Sequence, residues 1–290
     1  MLYFRLSRLA ALLVIVASIA RAALTHDATR WSFSLFLIYC GLLVATIAKY
    51  AQENLKGQSH YHRFGALLLF TSLSLYLTYG FHSILTFAAG WVLSGWGAGL
   101  LIDHFGDARS GLARNKVARY FLIGDLSIFI TAFYCEYRKI NLFESSTAPV
   151  FLVVLLALAG VIRSGAFPFH RWLALTNEAP SPLSALLHAG VVNGLGLMLL
   201  SFPALKELRL PIVILCLLTI FFSLVMMRHR HDEKGKLANG TSMQMAYMAI
   251  EGSLGLSAAV LLHIIGHGSY KSWSFLRVGG VPSRWKKNQE

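Results

Sequence analysis

The sequence predicts an all-α fold, a polytopic membrane helix bundle with about ten transmembrane helices. Two observations come from composition: 56% of the 290 residues are hydrophobic and 13% are charged, whereas soluble domains have about 45–50% apolar and about 25% charged residues. The third is length, because the apolar runs recur at roughly 18–22 residues, enough for a helix to cross the hydrocarbon layer. Backbone groups in lipid must be paired within the chain, so these runs are predicted to be helices.

Ten apolar runs, separated by polar or charged residues, are assigned as spans. The first is interpreted as a helix rather than a cleaved signal peptide, because it is long and many spans follow it. The ninth has a polar beginning, which makes its hydropathy the weakest. The predicted spans are 6–24, 32–50, 63–80, 82–102, 118–136, 148–164, 181–202, 209–228, 237–250 and 253–276.

Basic residues are distributed unevenly between the predicted loops. With the N-terminus inside, 19 of the 26 Lys and Arg residues fall in inner loops and six in outer loops. This positive-inside bias predicts that both termini face the cytoplasm. The net charge of +13 is explained by these loops and needs no nucleic acid partner.

The cysteines give no sign of a metal site. Cys40, Cys135 and Cys216 each lie in or at the end of an apolar run, and none is paired at short spacing. Zinc and iron–sulfur sites usually show such pairs. We interpret all three as small buried hydrophobic residues and expect neither a metal nor a cofactor on this chain.

The tenth span carries three ionisable side chains. His263, His267 and Lys271 follow each other at intervals of four residues, which places them on one helix face. Their neighbours are apolar, so this face is expected to contact protein or water rather than lipid. Such a row can pass a proton along, since histidine titrates near neutral pH. Interhelical hydrogen bonding is the structural alternative, and a metal site is disfavoured because no nearby carboxylate completes it.

A helix break is predicted after the sixth span. Gly165 and Pro168 follow Arg163 closely, and proline removes a backbone donor and displaces the helix. Interrupted helices form ion sites in transporters. A plain helix end with a proline stop is the alternative interpretation.

Further polar residues lie in or beside predicted spans. Asp125 needs a buried partner, which Arg119 or Arg163 is able to supply, either for structure or for proton transfer. His188 is interpreted as a structural residue or a proton carrier. Lys234, at the start of the ninth span, either anchors the inner loop or joins the proton path. All are candidates because ionisable groups inside a membrane are costly.

Four sequence motifs, in the same order over residues 118–279, resemble those of the antiporter-like membrane subunits of respiratory complex I and Mrp-type antiporters. They look like the broken helix, the helix after it, and the two signatures that follow. The matching segments are 167–173 with 178–190, 231–238, 242–248 and 261–276.

Three segments, 90–94, 118–126 and 188–194, resemble the DabB-type branch of the family, which functions in inorganic-carbon uptake. The resemblance implies a large DabA-type partner that contains zinc. It also implies that this chain is the proton-conducting subunit, and that proton flow through it drives hydration of CO2 to bicarbonate on the partner.

The resemblance further implies a division of the chain into repeats. Residues 1–62 form N-terminal helices, 63–202 a complete five-helix antiporter repeat, 203–279 a truncated inverted second repeat, and 280–290 a cytoplasmic tail. Two positions depart from the family pattern. Val92 stands where many members have a glutamate, and Arg163 stands where they have the lysine of the broken helix; arginine cannot release its proton in proteins.

Three functions remain open. The first is the proton-conducting subunit of a carbon-uptake pair, and the second is a proton-translocating subunit of a complex I-like or Mrp-type assembly. The third is a membrane scaffold without transport, which the Val92 and Arg163 departures and the truncated second repeat favour. A stand-alone enzyme is not expected, because the sequence shows no nucleophile–base pair, phosphate loop or paired acids.

Overall fold

A computed structural model describes residues 1–24, 28–58, 60–104, 106–176, 179–229 and 233–279, without the side chains of 28–30, 189, 233–234 and 278–279. Within these residues the regular structure is helical, which confirms the all-α fold class. The candidate residue Lys234 has its side chain outside the described part of the chain.

The first half of the chain forms long helices joined by short connections, as the alternation of apolar runs and polar loops predicts. Each overlaps one of the first six predicted spans, but the fifth helix begins at Ala108, ten residues before the predicted start at 118. The helices are α1 (Leu2–Leu24), α2 (Ala28–Asn54), α3 (Tyr61–Gly80), α4 (Ile84–Ile102), α5 (Ala108–Arg138) and α6 (Val150–Arg163).

The second half contains two interruptions among its helices. A short helix α7 follows the break after α6, and a 3-10 turn separates α8 from α9. The helices are α7 (Arg171–Leu175), α8 (Ser181–Ala189), α9 (Gly194–Ser201), α10 (Arg209–Arg228), α11 (Glu233–Ser253) and α12 (Ser257–Gly279), with 3-10 turns at Val191–Asn193 and Pro203–Leu208.

Both ends of α5, the longest described helix, are capped. The Asp107 carboxylate accepts a hydrogen bond from the Ser110 backbone N–H at 2.7 Å, which satisfies a donor in the first turn. This bond lowers the pKa of the exposed Asp107. The helix ends where Lys139 adopts a left-handed conformation with φ of 55°.

The predicted span 181–202 is present as Ser181–Ser201, but its helix is interrupted in the middle. Gly190 ends α8, and a 3-10 turn leads into α9 at Gly194, because glycine is a poor helix former and yields to competing contacts. One such contact is visible: the Leu195 N–H, in the first turn of α9, donates to Ser164 Oγ at 2.9 Å. Ser164 itself lies in the break after α6, so the two interruptions are in direct contact.

Hydropathy and burial distinguish central from peripheral helices. Among the described residues, six helical segments are long and apolar enough to cross a membrane by length and composition. The ten-span count remains a prediction, because α3, α11 and α12 are more polar and α6 has only 14 residues. In the most apolar stretch of the α8–α9 segment 94% of the residues are buried, whereas the share is only 17% in α1 and 22% in the segment Pro203–Arg228 that contains α10. The interrupted α8–α9 segment is therefore central, and α1 and α10 offer their apolar surfaces to lipid or other subunits.

Candidate functional site

His263 on α12 is held by two side chains of α11. Its Nδ1 lies 3.0 Å from Glu251 Oε1 and 3.2 Å from Oε2, while its Nε2 lies 2.8 Å from Gln244 Oε1. The His267 ring follows one turn later, with its centroid 6.1 Å from that of His263. The predicted histidine pair thus faces protein at α11, as expected for an intramembrane polar stripe.

Lys271 continues this row towards the other end of α11. Only 4% of the residue is exposed, and its Nζ donates a hydrogen bond to the Leu237 carbonyl at 2.6 Å. A cavity of about 530 Å³ opens beside the three predicted residues. It is lined by Met227, Lys236, Leu237, Gly240, Met243, Gln244, His263, His267, Tyr270 and Lys271. We call the row Glu251–Gln244–His263–His267–Lys271 the polar file.

Two members of the polar file, Gln244 and Glu251, were missed from the sequence. The expectation that no carboxylate lies near His263 is wrong, because the turn between α11 and α12 folds Glu251 back onto it. The signal was present: Gln244 and Glu251 are seven residues apart, two turns along one helix face. Even with this carboxylate, the described residues contain no group of three His, Cys, Asp or Glu side chains placed to hold a metal.

The hydrogen-bonding of His263 fits two protonation states. With both ring nitrogens facing oxygen acceptors, each nitrogen has to donate, which is the pattern of an imidazolium. A half-turn of the Gln244 amide would present its NH2 group to Nε2 and suit the neutral ring. The same two partners therefore accommodate His263 before and after it takes up a proton.

A second cluster surrounds Arg163 at the end of α6. Its Nη2 lies 3.3 Å from Asp125 Oδ1 and donates to the Trp91 carbonyl at 2.9 Å. The guanidinium also lies over the rings of Trp91 and Phe121, at 4.6 and 4.4 Å from their centroids. Of the two predicted partners of Asp125, the structure selects Arg163, and both members of the pair are buried. Arg163 is thus a core residue rather than a loop cation.

Two glycines make room for this buried arginine. A Cβ atom added at Gly95 would lie 2.8 Å from Arg163 Nη1, and one at Gly194 would lie 3.1 Å from Arg163 Cγ and 2.7 Å from Trp91. The small residues predicted to allow close helix packing therefore also allow a cation to lie between α4 and α9.

The predicted break after α6 is present. Gly165 adopts a positive φ of 61°, a conformation that favours glycine, and the Phe167–Pro168 peptide is cis. Trp172 in α7 donates from Nε1 to the Ile162 carbonyl at 2.7 Å. The same carbonyl accepts the Gly165 N–H at 3.1 Å, so the Trp172 bond ties α7 to the last turn of α6 and the break is part of the packed core.

His188 lies at the packing interface of α8 with α12. It is fully buried, and its ring stacks on Phe275 at a centroid distance of 4.8 Å and an interplanar angle of 7°. Phe275 is one turn beyond Lys271, so His188 neighbours the helix that carries the polar file. The structure thus brings His263, His267 and Lys271 together, and places Asp125 with Arg163 in a separate cluster.

A sequence model of the family described as NADH:quinone oxidoreductase/Mrp antiporter, TM, matches residues 82–290, and so includes both clusters. The chain belongs to this family. Its membership confirms the resemblance that the four motifs predicted, and with it a membrane subunit of the antiporter type.

The family's curated members include relatives of two kinds. Over 184 residues the chain is 36% identical to the probable inorganic carbon transporter subunit DabB of Hydrogenovibrio crunogenus, covering 59% of this chain and 35% of the relative. Over 263 residues it is 29% identical to NADH-ubiquinone oxidoreductase chain 5 of Caenorhabditis elegans, covering 87% of this chain and 47% of the relative. The chain therefore spans less than half the length of either relative.

The fold also matches a chain in the structure of the Mrp complex from Dietzia sp. DQ12-45-1b. The TM-score is 0.77 at 22% sequence identity, and the match covers 86% of this chain and 30% of that chain. At this identity the likeness concerns the fold alone, and it agrees with the helical bundle described above.

Proposed function

We propose that the chain conducts protons along the polar file of α11 and α12. The observation that carries the proposal is the continuity of the file: a carboxylate, two imidazoles and an ammonium group follow one another along one helix pair, beside a cavity. Each of these groups is able to take up and release a proton. Lys271 is buried, while the two histidines and Glu251 are half-buried; ionisable groups within a membrane bundle are costly and often mark ion or proton pathways.

In the proposed step, a proton passes between Lys271 and His267, then between His267 and His263. His263 accepts it on one ring nitrogen and releases the proton of the other to Glu251, so the number of protons on the file is unchanged after each transfer. The Gln244 amide rotates with the protonation state of His263, so that its oxygen faces a protonated Nε2 and its NH2 group faces an unprotonated one. The cavity supplies room for water between groups that do not touch directly.

We further propose that this proton flow serves inorganic-carbon uptake with a DabA-type partner that carries the zinc. The 36% identity to a DabB subunit supports this substrate. Hydration of CO2 to bicarbonate would take place on the partner, while this chain, in a bacterial inner membrane with both termini cytoplasmic, would supply the proton path. His188, Asp125, Arg163 and Lys234 are proposed to support that path rather than to form the file.

A complex I-like or Mrp-type assembly is the second candidate. It is supported by the 29% identity to NADH-ubiquinone oxidoreductase chain 5 over 87% of this chain. The identity of the subunits that co-purify in mild detergent separates the two candidates. A large zinc-containing partner supports carbon uptake, whereas quinone-site or antiporter subunits support the second candidate.

Proton conduction is tested on the chain, with its co-purifying subunits, in vesicles that contain a pH-sensitive dye. His263→Gln and Lys271→Gln are expected to lower the proton flux at least about tenfold, as expected for loss of a group that transfers protons. His62→Gln, at an exposed position of α3, is the matched control and should keep the flux. Wild-type flux in His263→Gln, or no flux in the wild type, would contradict the proposal; the second result would favour a scaffold.

A further inference from the structure

A groove between α5 and α7 collects three basic side chains. Lys116, Arg119 and Arg171 line a cavity of about 440 Å³ together with Tyr120, Ile123 and Leu175. All three cations are exposed. Their positions, near the beginning of α5 and at the first residue of α7, put them at the end of the bundle that the loop charges predict to be cytoplasmic. We call this the basic groove.

The charges of the basic groove are not neutralised by the described part of the protein. Of the acids nearest to it in the sequence, Asp103 pairs with Arg114 at 3.0 Å, Asp107 caps α5, and Asp125 pairs with the buried Arg163 at 3.3 Å. Neither Lys116 nor Arg119 forms an ion pair with a described residue. Three like charges in one concave site repel each other in the absence of an anion, so the groove favours a negatively charged ligand.

An apolar groove lies beside it, on the other side of α5. This second cavity, of about 380 Å³, runs between α4 and α5 and shares Arg119 with the basic groove. Trp96 and Leu122 at its edge are 64% and 57% exposed. A small anion would not cover this apolar surface. An amphiphile would, because its chain covers the apolar side chains while its head group contacts the cations.

We infer that the two grooves bind an anionic phospholipid. Its phosphate would accept hydrogen bonds from Arg119 and Arg171, whose guanidinium groups suit phosphate oxygens, and Lys116 would add a third positive charge. One acyl chain would lie along the apolar groove between α4 and α5. Basic pockets at the cytoplasmic ends of transmembrane helices suit anionic head groups. This inference does not rest on the proposed proton path: no residue of the polar file lines either groove, and Asp125, which borders the apolar groove, is paired with Arg163.

The inference is tested by native mass spectrometry of the protein with its co-purifying subunits, titrated with phosphatidylglycerol, phosphatidylcholine or inorganic phosphate. The wild type should retain phosphatidylglycerol in preference to phosphatidylcholine. The triple variant Lys116→Gln/Arg119→Gln/Arg171→Gln should bind phosphatidylglycerol at least about tenfold more weakly, since each basic residue near an anionic lipid contributes a favourable interaction.

The control triple variant Arg138→Gln/Lys206→Gln/Arg209→Gln removes the same charge from exposed positions at the opposite end of the bundle, and should bind like the wild type. If the first triple variant fails to fold, the single variant Arg171→Gln is measured and should still lose affinity. Equal binding of both lipids, or equal losses in both triple variants, would overturn the inference. So would inorganic phosphate that displaces the lipid at similar concentrations, or a protein subunit that occupies the groove in the purified complex.

Discussion

Removal of the Asp125 carboxylate is the sharpest test of the buried Arg163 cluster. In Asp125→Ala, Arg163 would stay 2% exposed with one hydrogen bond to the Trp91 carbonyl and two aromatic rings, but without a counter-charge. Breaking a buried ion pair by removing one partner costs about 3–5 kcal/mol. The remaining carbonyl and the rings offset part of this loss, so we expect a destabilisation near the lower end, about 3 kcal/mol.

The matched comparison is an exposed pair on the same helix. Lys139 Nζ lies 3.4 Å from Glu136 Oε1, a distance almost equal to the 3.3 Å of the buried pair, but these side chains are 81% and 52% exposed. Glu136→Gln should therefore cost no more than about 1 kcal/mol. Because the two ion pairs have similar N–O distances but different burial, the difference between their unfolding free energies reports the effect of burial.

The assay is unfolding of the purified protein in detergent, followed by the loss of helical circular dichroism as denaturant increases. The double variant Asp125→Leu/Arg163→Met should recover most of the stability, because replacing both charges by apolar side chains removes the unpaired group. A loss below about 1 kcal/mol in Asp125→Ala would refute the reasoning, since it would mean that Arg163 finds another counter-charge or reaches water. A double variant as unstable as Asp125→Ala would also refute it.

Three further predictions follow from the same structure. Gly95→Ala should destabilise the protein by about 1–3 kcal/mol, because its methyl group would lie 2.8 Å from Arg163 Nη1. The control Gly99→Ala, whose added methyl group would have its nearest neighbour 4.0 Å away, should not destabilise the protein. The stability of both variants is measured by unfolding in detergent. Glu251→Gln should lower the vesicle proton flux at least about tenfold while leaving the unfolding midpoint close to that of the wild type, and unchanged flux would exclude Glu251 from the file. Asp107→Ala should lower the unfolding temperature at neutral pH. Because the folded pKa of Asp107 lies below its ordinary value, its stabilisation is present above the unfolded pKa of about 4 and is lost as pH falls through the folded pKa; a difference between variant and wild type that persists at the lowest pH would contradict this.

The helices were predictable because lipid imposes one requirement on every span, namely backbone pairing within an apolar run. The stripe on α12 was also predictable, since three residues four apart need only one helix to share a face. The contacts between helices were harder to predict. Asp125 had two basic candidates in the sequence, and only the packing of α4, α5 and α6 selects Arg163.

Glu251 was missed for a different reason. It follows the predicted end of the ninth span at residue 250, so hydropathy assigned it to a loop, where a carboxylate needs no partner. The helix α11 continues to Ser253, and this extra turn keeps Glu251 on the face that carries Gln244. Span boundaries from hydropathy err by a few residues, and here that error removed the acid that contacts His263.

The two polar clusters differ in what their chemistry allows, and this difference supports the proposed division of roles. Arginine keeps its proton in proteins, and Arg163 is held between Asp125 and the Trp91 carbonyl. This cluster therefore provides a fixed positive charge rather than a site that exchanges protons. The polar file holds imidazole, amine and carboxylate groups, all of which exchange protons, and its partners tolerate both forms of His263. A proton that moves along the file meets no permanent cation in it, whereas a path through Arg163 would have to pass one. The arrangement therefore favours conduction along α11 and α12, with the Arg163 cluster holding α4, α5 and α6 together.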